Sequence, residues 1–267
     1  MTIKAGCFFS HLLTIGRNEN TPVEGVIEQL TERGLEVTDV DVETVRELGA
    51  EKINSIIKQG GISVSSAYYL IDFLHKEPKK LRRIYENIKA DLAVCASIGS
   101  PFYMPVTCIA EEHESEADRE ECLKIITDYI GNLTEAAKEY GITVVLEDYS
   151  RLRTPLSKIS DFQYIFSQVP DARFVLDTGN FWLAGVDVME ACQAFLDKTV
   201  HVHAKDLGKP IYGELDVSGR KADSIALGQG MIPMCEIFEV LQKNGYQDAA
   251  IIEPLSGRDM LPIMVNR

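Results

Sequence analysis

Short β-branched or apolar runs alternate with longer amphipathic stretches along the whole chain. Runs at 3–9, 35–41, 62–67, 101–106, 142–147, 173–177, 200–205 and 249–253 have the length and composition of buried strands. Between them, apolar positions recur at helical spacing over about 23–33, 45–58, 80–97, 114–140, 157–168, 188–196 and 233–244. Gly34, Gly60, Gly141 and Gly245 stand just past four of these stretches, where a helix end favours a left-handed residue. Eight units in 267 residues average about 33 residues each, the size of a βα unit. Strands alternating with helices predict a parallel sheet. No Pro/Gly/Ser-rich linker or shift in composition divides the chain, so residues 1–267 are read as one domain. A (β/α)8 barrel, typically about 250 residues, uses this length in one domain. An open doubly wound sheet is the competing arrangement, but the first βα turn, 9–24, has no GxGxxG and no Walker sequence occurs anywhere. Only fourteen residues, 254–267, follow the eighth run, so any last helix is short.

One stretch is irregular. Residues 206–230 follow the seventh run, contain Gly208, Gly213, Gly219, Gly228 and Gly230, and show no apolar period. A long connection inside a compact domain suits a lid or substrate loop; a tolerated surface insertion is the alternative.

The second half of the chain carries the chemistry. TVVLE ends at Glu147, RFVLD at Asp177, HVHAKD contains His203, and AAIIE ends at Glu253. In a barrel the carboxyl ends of all strands meet at one rim, so these four side chains converge. Strand alternation places Glu147 with Val145, Asp177 with Val175, His203 with His201 and Lys205, and Glu253 with Ile251. Three carboxylates and an imidazole repel unless a positive group sits among them. One divalent ion ligated by Glu147, Asp177, His203 and Glu253 answers that need. The oxygen-rich set favours Mn, Mg or Co, with zinc compatible. Each ending also has a simpler reading, because an acidic residue after a strand often caps a helix, and Asp177-Thr178-Gly179-Asn180 also reads as a turn. His201 sits two residues deeper than His203 and reads first as a support for it. Asp206 and Lys205 are either surface charges or groups that orient the ligand histidine.

Composition narrows the partners. Apolar residues make up 45% and charged residues 25%, ordinary values for a globular chain. With 27 Lys+Arg against 41 Asp+Glu the net charge is −14, so no nucleic-acid partner is expected. The cysteines at 7, 95, 108, 122, 192 and 235 are scattered without CxxC, as reduced thiols are. The start, MTIKAGCFFSHLLTIGR, lacks signal-peptide order, and no apolar run approaches the ~18–20 residues that span a bilayer. The expectation is a soluble cytoplasmic protein with a small-molecule substrate and no membrane partner, with a homo-oligomer left open.

LEDYS around Glu147, VLDTGNFWLAG around Asp177, HVHAKD around His203, LGQG at 227–230 and GYQDAAIIEP around Glu253 together resemble the xylose-isomerase-like sugar (phosphate) isomerase/epimerase superfamily. GLEVTD at 34–39 resembles its second-strand motif, which implies Asp39 at the rim. The resemblance spans nearly the whole chain. It implies a (β/α)8 barrel, the four ligands above and a substrate proton exchanged between two glutamates. Many ketose 3-epimerases of the family carry His three residues after the metal Asp and Arg six residues beyond the metal His. Asn180 and Lys209 stand at those positions here, so the reading stays at the superfamily.

Aldose–ketose isomerisation and ketose epimerisation both remove a proton next to a carbonyl. A divalent metal polarises the carbonyl, and Glu147 and Glu253, on facing strands, suit the acid/base pair. Asn180, His201, Lys205, Lys209 and Asp39 are the candidate substrate-binding residues, with Asp206 as support for a ligand. Trp182, Phe8 or Phe9 could line the apolar side of a sugar. Three rivals stand beside this reading. A lyase dehydrating a polyol or inosose begins with the same proton abstraction. An endonuclease-like phosphodiesterase needs several more histidines, and only His11, His75 and His113 remain. A non-catalytic sugar-binding barrel would tolerate loss of a glutamate, yet both are present.

Overall fold

The computed structural model describes residues 3–73, 78–108, 116–152, 154–209 and 219–253. Elements are numbered in chain order. Eight parallel strands, β1 (Lys4–Phe8), β2 (Leu35–Asp41), β3 (Ser63–Asp72), β4 (Phe102–Cys108), β5 (Thr143–Glu147), β6 (Arg173–Asp177), β7 (Thr199–Ala204) and β10 (Ala249–Ile252), close into one barrel. Its order, β1-β10-β7-β6-β5-β4-β3-β2, is sequential once the short antiparallel hairpin of β8 (Asp206–Leu207) and β9 (Ser224–Ile225) is set aside. The helices are α1 (Phe9–Asn18), α2 (Val23–Thr31), α3 (Val42–Leu48), α4 (Ala50–Gly60), α5 (Pro78–Ser97), α6 (Glu116–Ala137), α7 (Ile159–Gln168), α8 (Asn180–Leu183), α9 (Val188–Ala194) and α10 (Met234–Lys243). No helix among the described residues is long and apolar enough to cross a membrane.

Two apolar layers follow from strand alternation. Outward-facing strand residues and the inner faces of the helices form the main core, where Phe162 packs edge-on against Phe174 at 5.0 Å and Phe181 at 5.9 Å. Inside the barrel, Phe8, Val37, Ala249 and Ile251 fill one side, and Met104, Val145 and Val175 the other. Polar residues on the same inward positions, one step nearer the carboxyl ends, are left for chemistry.

The departures from the sequence reading are local. The stretch at 45–58 is two helices, because Gly49 at φ +85° cannot continue α3 and α4 starts directly after it. The run at 3–9 ends at Phe8, and Phe9 already opens α1, a helix hidden by its lack of a side-chain cap and by an apolar start continuous with the strand. In the Gly60–Gly61 pair the second glycine takes the left-handed position, not Gly60. β3 runs to Asp72, five residues beyond the expected end. Of the irregular stretch, 206–209 and 219–230 are described, while 210–218 lies outside the described residues, as do His75, His113 and 254–267.

Candidate metal centre

Asp177 and His203 are in register on β6 and β7, and His203 is level with Ile251 on β10, two residues before Glu253. Glu147 closes β5. One donor atom from each of Glu147, Asp177, His203 and Glu253 lies within 4.8 Å of the others. The hub is His203 Nδ1, 2.5 Å from Glu147 Oε1 and 3.2 Å from Glu253 Oε2. The imidazole is fully buried.

The ring is set by its other nitrogen. His203 Nε2 donates to Asp39 Oδ2 at 3.1 Å, and His201 Nε2 donates to the same oxygen at 2.9 Å. Ser65 Oγ donates to Asp39 Oδ1 at 2.6 Å. A carboxylate that fixes the Nε2 proton leaves Nδ1 as the ligand atom. Asp39, His201 and His203 also cluster closely enough to suggest a cation, but their facing atoms already satisfy one another. Burial alone would raise the Asp39 carboxyl; the two histidines instead hold it well below the usual carboxylate range.

The carboxylates divide their oxygens in the same way. Asp177 Oδ1 accepts the backbone N–H groups of Gly179 and Asn180, both at 2.7 Å. Its Oδ2 and Glu253 Oε2 are buried without a hydrogen-bond partner. Lys205 Nζ lies 2.9 Å from Asp177 Oδ2, an ion-pair contact lacking hydrogen-bond geometry, and 2.9 Å from Glu253 Oε1. Two orphaned carboxylate oxygens, an imidazole nitrogen and Glu147 aimed at one place fit a divalent ion with oxygen-rich ligation. Burial raises the Asp177 carboxyl, to about 7, against the pull of Lys205. Burial acts the same way on Glu253, but Lys205 and His203 outweigh it and hold its pKa low. For His203, burial works against protonation, yet Glu147 and Asp39 raise the pKa well above the ordinary imidazole value.

Several expected roles change with the geometry. Lys205 is buried; its Nζ donates to Asn180 Oδ1 at 3.0 Å and lies 2.9 Å from both Glu253 Oε1 and Asp177 Oδ2, so it acts first to position carboxylates. Gly179 makes room for it, since a Cβ there would lie 2.6 Å from Lys205 Cδ. Asn180 spends its amide on Lys205 and on the Asp148 carbonyl at 2.9 Å, so it too is a support. Asp39 lies two residues short of the end of β2, and Asp39 and His201, both fully buried, are not among the residues lining the cavity. Asp206 does not orient His203. Its carboxylate accepts the N–H groups of Gly228, Gly230 and Ile232 at 2.8, 2.9 and 3.2 Å, clamping the LGQG turn. Lys209 is exposed just past β8 and is not among the residues lining the central cavity. Trp182 carries Arg220 over its ring at 4.7 Å, Phe9 is buried in the outer core, and Phe8 lines the cavity.

That cavity, about 200 Å³, opens over Glu147, His203 and Glu253. Its other wall is Phe8, Tyr68 and Met104, with Ser10 and His11 from the first turn of α1. Tyr68 escapes the sequence pattern because the apolar run of β3 stops at Ala67 while the strand continues to Asp72, and His11 because nothing in the pattern marks the start of α1. Asp148 and Thr178 escape it as well. Asp148 Oδ1 accepts the Asp177 N–H at 3.1 Å. The Thr178 hydroxyl donates to the Lys205 carbonyl and accepts its N–H, both at 2.8 Å, extending the β6–β7 pairing.

The chain is similar to known proteins in sequence and in fold. The inosose isomerase of Bacillus subtilis (strain 168) is 23% identical over 186 residues, 69% of this chain and 64% of that protein. The inosose dehydratase of Mesomycoplasma hyopneumoniae (strain 7448) is 29% identical over 128 residues, 44% of this chain and 42% of the relative. The chain thus spans less than two thirds of the length of either relative, and both are named as enzymes. The crystal structure of the IolI protein with a bound zinc atom superposes with a TM-score of 0.74 at 18% identity, covering 98% of this chain and 95% of that one. The family described as xylose isomerase-like TIM barrel matches residues 26–262. With its closed eight-strand barrel and that match, the chain belongs to the xylose isomerase-like TIM-barrel family.

Proposed function

We propose that the chain is a divalent-metal-dependent isomerase or epimerase of a sugar or sugar derivative, acting by proton transfer between Glu147 and Glu253 through an enediolate. The observation that carries this reading is the placement of the two glutamates. Both line the cavity, and they approach the same His203 nitrogen from different strands of the barrel. Glu147, Asp177, His203 and Glu253 would hold the cation, which when bound supplies an electrophile that polarises a substrate carbonyl and acidifies the neighbouring C–H. Mn, Mg or Co suits the three carboxylates, and zinc accords with the metal in the IolI structure.

The chain's own groups do the rest. One glutamate takes the proton from the carbon beside the carbonyl, and the other returns it. Lys205 holds one Glu253 oxygen in place, and Asp39 holds the His203 ring. Phe8, Tyr68 and Met104 exclude water from one face of the substrate.

A dehydratase is the second reading, favoured by the similarity to inosose dehydratase, and it starts from the same proton abstraction. The test is incubation of inosose and of a ketohexose with metal-loaded protein in D2O. Deuterium at C3 of a ketose denotes epimerisation, at C1 or C2 isomerisation, and loss of water denotes dehydration. Turnover without deuterium incorporation would mean a hydride shift and would overturn the proton relay.

A further inference from the structure

Among the described residues lining the cavity, one polar side chain outside the ligand cluster has an unpartnered nitrogen. Ser10 and Tyr68 hydrogen-bond to each other, and Glu147, His203 and Glu253 belong to the ligand cluster. His11 is different. It lines the same cavity, yet its Nδ1 is buried without a hydrogen-bond partner. The ring is held in place: it packs edge-on against Phe8 at 5.2 Å, and Phe8 in turn packs edge-on against His203 at 5.1 Å. No loop separates α1 from β1, so the first helical turn fixes His11 over the barrel mouth. A buried imidazole nitrogen left unpaired costs free energy unless a ligand completes it.

We propose that His11 hydrogen-bonds an uncharged hydroxyl of the substrate on the Phe8 side of the cavity, and that the site selects unphosphorylated polyol ketones over their phosphate esters. This rests on the function proposed above and names its substrate class. Burial lowers the His11 pKa against the opposing pull of Glu253, so the ring is a neutral donor and acceptor, suited to a hydroxyl. A phosphate on the His11 side would face a neutral imidazole and the Phe8 ring, with no side-chain cation to pair with it there. Among the described residues no Lys or Arg lines the cavity, and Lys205 is buried against Asp177, Glu253 and Asn180.

The experiment is calorimetric titration of the Mn(II)-loaded protein with inosose, D-fructose and D-fructose 6-phosphate, using wild type, His11→Phe and His11→Gln. Circular dichroism establishes that each variant is folded. Wild type should bind at least one of the uncharged ketones, and the phosphate ester more weakly than D-fructose. His11→Phe should weaken uncharged-ketone binding about tenfold, the scale of one hydrogen bond. His11→Gln, which keeps a donor and an acceptor, should recover most of that loss. On a turned-over substrate, His11→Phe should raise KM and leave kcat nearly unchanged. Wild-type affinity in His11→Phe, or tighter binding of the phosphate ester than of D-fructose, overturns the His11 assignment while the proton relay stands. Binding of neither uncharged ketone to wild type overturns the polyol-ketone reading itself, and this proposal with it.

Discussion

Asp39→Asn isolates what holds the ligand histidine. The carboxylate is fully buried and accepts three hydrogen bonds, from Ser65 Oγ at 2.6 Å, His201 Nε2 at 2.9 Å and His203 Nε2 at 3.1 Å. An asparagine can keep its oxygen toward the two imidazoles and turn its amide to Ser65, whose hydroxyl accepts as readily as it donates. The packing therefore survives, and only the charge is lost. Neutral hydrogen bonds replace charge-assisted ones, which should lower stability by about 1–3 kcal/mol. Without the charge behind it the His203 ring is less basic and its Nε2 proton less firmly fixed, and partners of this kind are worth about 10–100-fold in metal affinity. The assay is competition for Mn(II) or Zn(II) against a chelator of known strength, beside a urea melt and nitrogen NMR of the histidine tautomers. A folded Asp39→Asn with wild-type metal affinity and an unchanged His203 tautomer would mean that Asp39 does not set the ligand histidine.

Other outcomes follow from the same geometry. Glu147→Gln and Glu253→Gln should each cut turnover by about 10²–10⁴-fold, the worth of a placed acid or base, and abolish solvent deuterium exchange; metal content measured in parallel separates proton transfer from ligand loss. Asp206→Ala removes three hydrogen bonds to the 228–232 backbone and should lower stability by about 2–4 kcal/mol in a urea melt, while metal affinity stays at the wild-type value. Metal binding should tighten as pH rises. In the metal-free protein Glu147 and Asp39 raise the His203 pKa above its unfolded value despite burial, so His203 carries a proton that binding must release. The same raised pKa makes the His203 contribution to metal-free stability complete below about pH 6.5 and lost as pH climbs through the folded value. A pH indicator in weak buffer reads the released proton directly.

The barrel was legible because a parallel barrel strand announces itself twice, as an apolar run and as a polar residue where the run stops. Glu147, Asp177, His203 and Glu253 sit where strand alternation points them, toward the common axis. Alternation tells which face a residue takes but not its depth. Asp39 shares the inward face yet lies two residues short of the end of β2, which turns a rim residue into a support. Nor does sequence count donors. Lys205 reads as a free cation until its three contacts are seen, and Asp206 reads as a partner of His203 until its carboxylate is found on the LGQG backbone. Helix α1 escaped because Phe8 and Phe9 are one apolar pair in sequence but belong to different elements, and with α1 went His11.

The proposed function requires that four strand-end side chains hold one divalent ion. Elemental analysis after chelation, reloading with Mn(II) and gel filtration tests it most directly. Wild type should retain one equivalent of metal per chain, and folded Asp177→Ala and His203→Ala well under a tenth of that. Full metal content in His203→Ala would remove the hub of the site, and a wild-type protein that retains no metal would overturn the proposed metal centre.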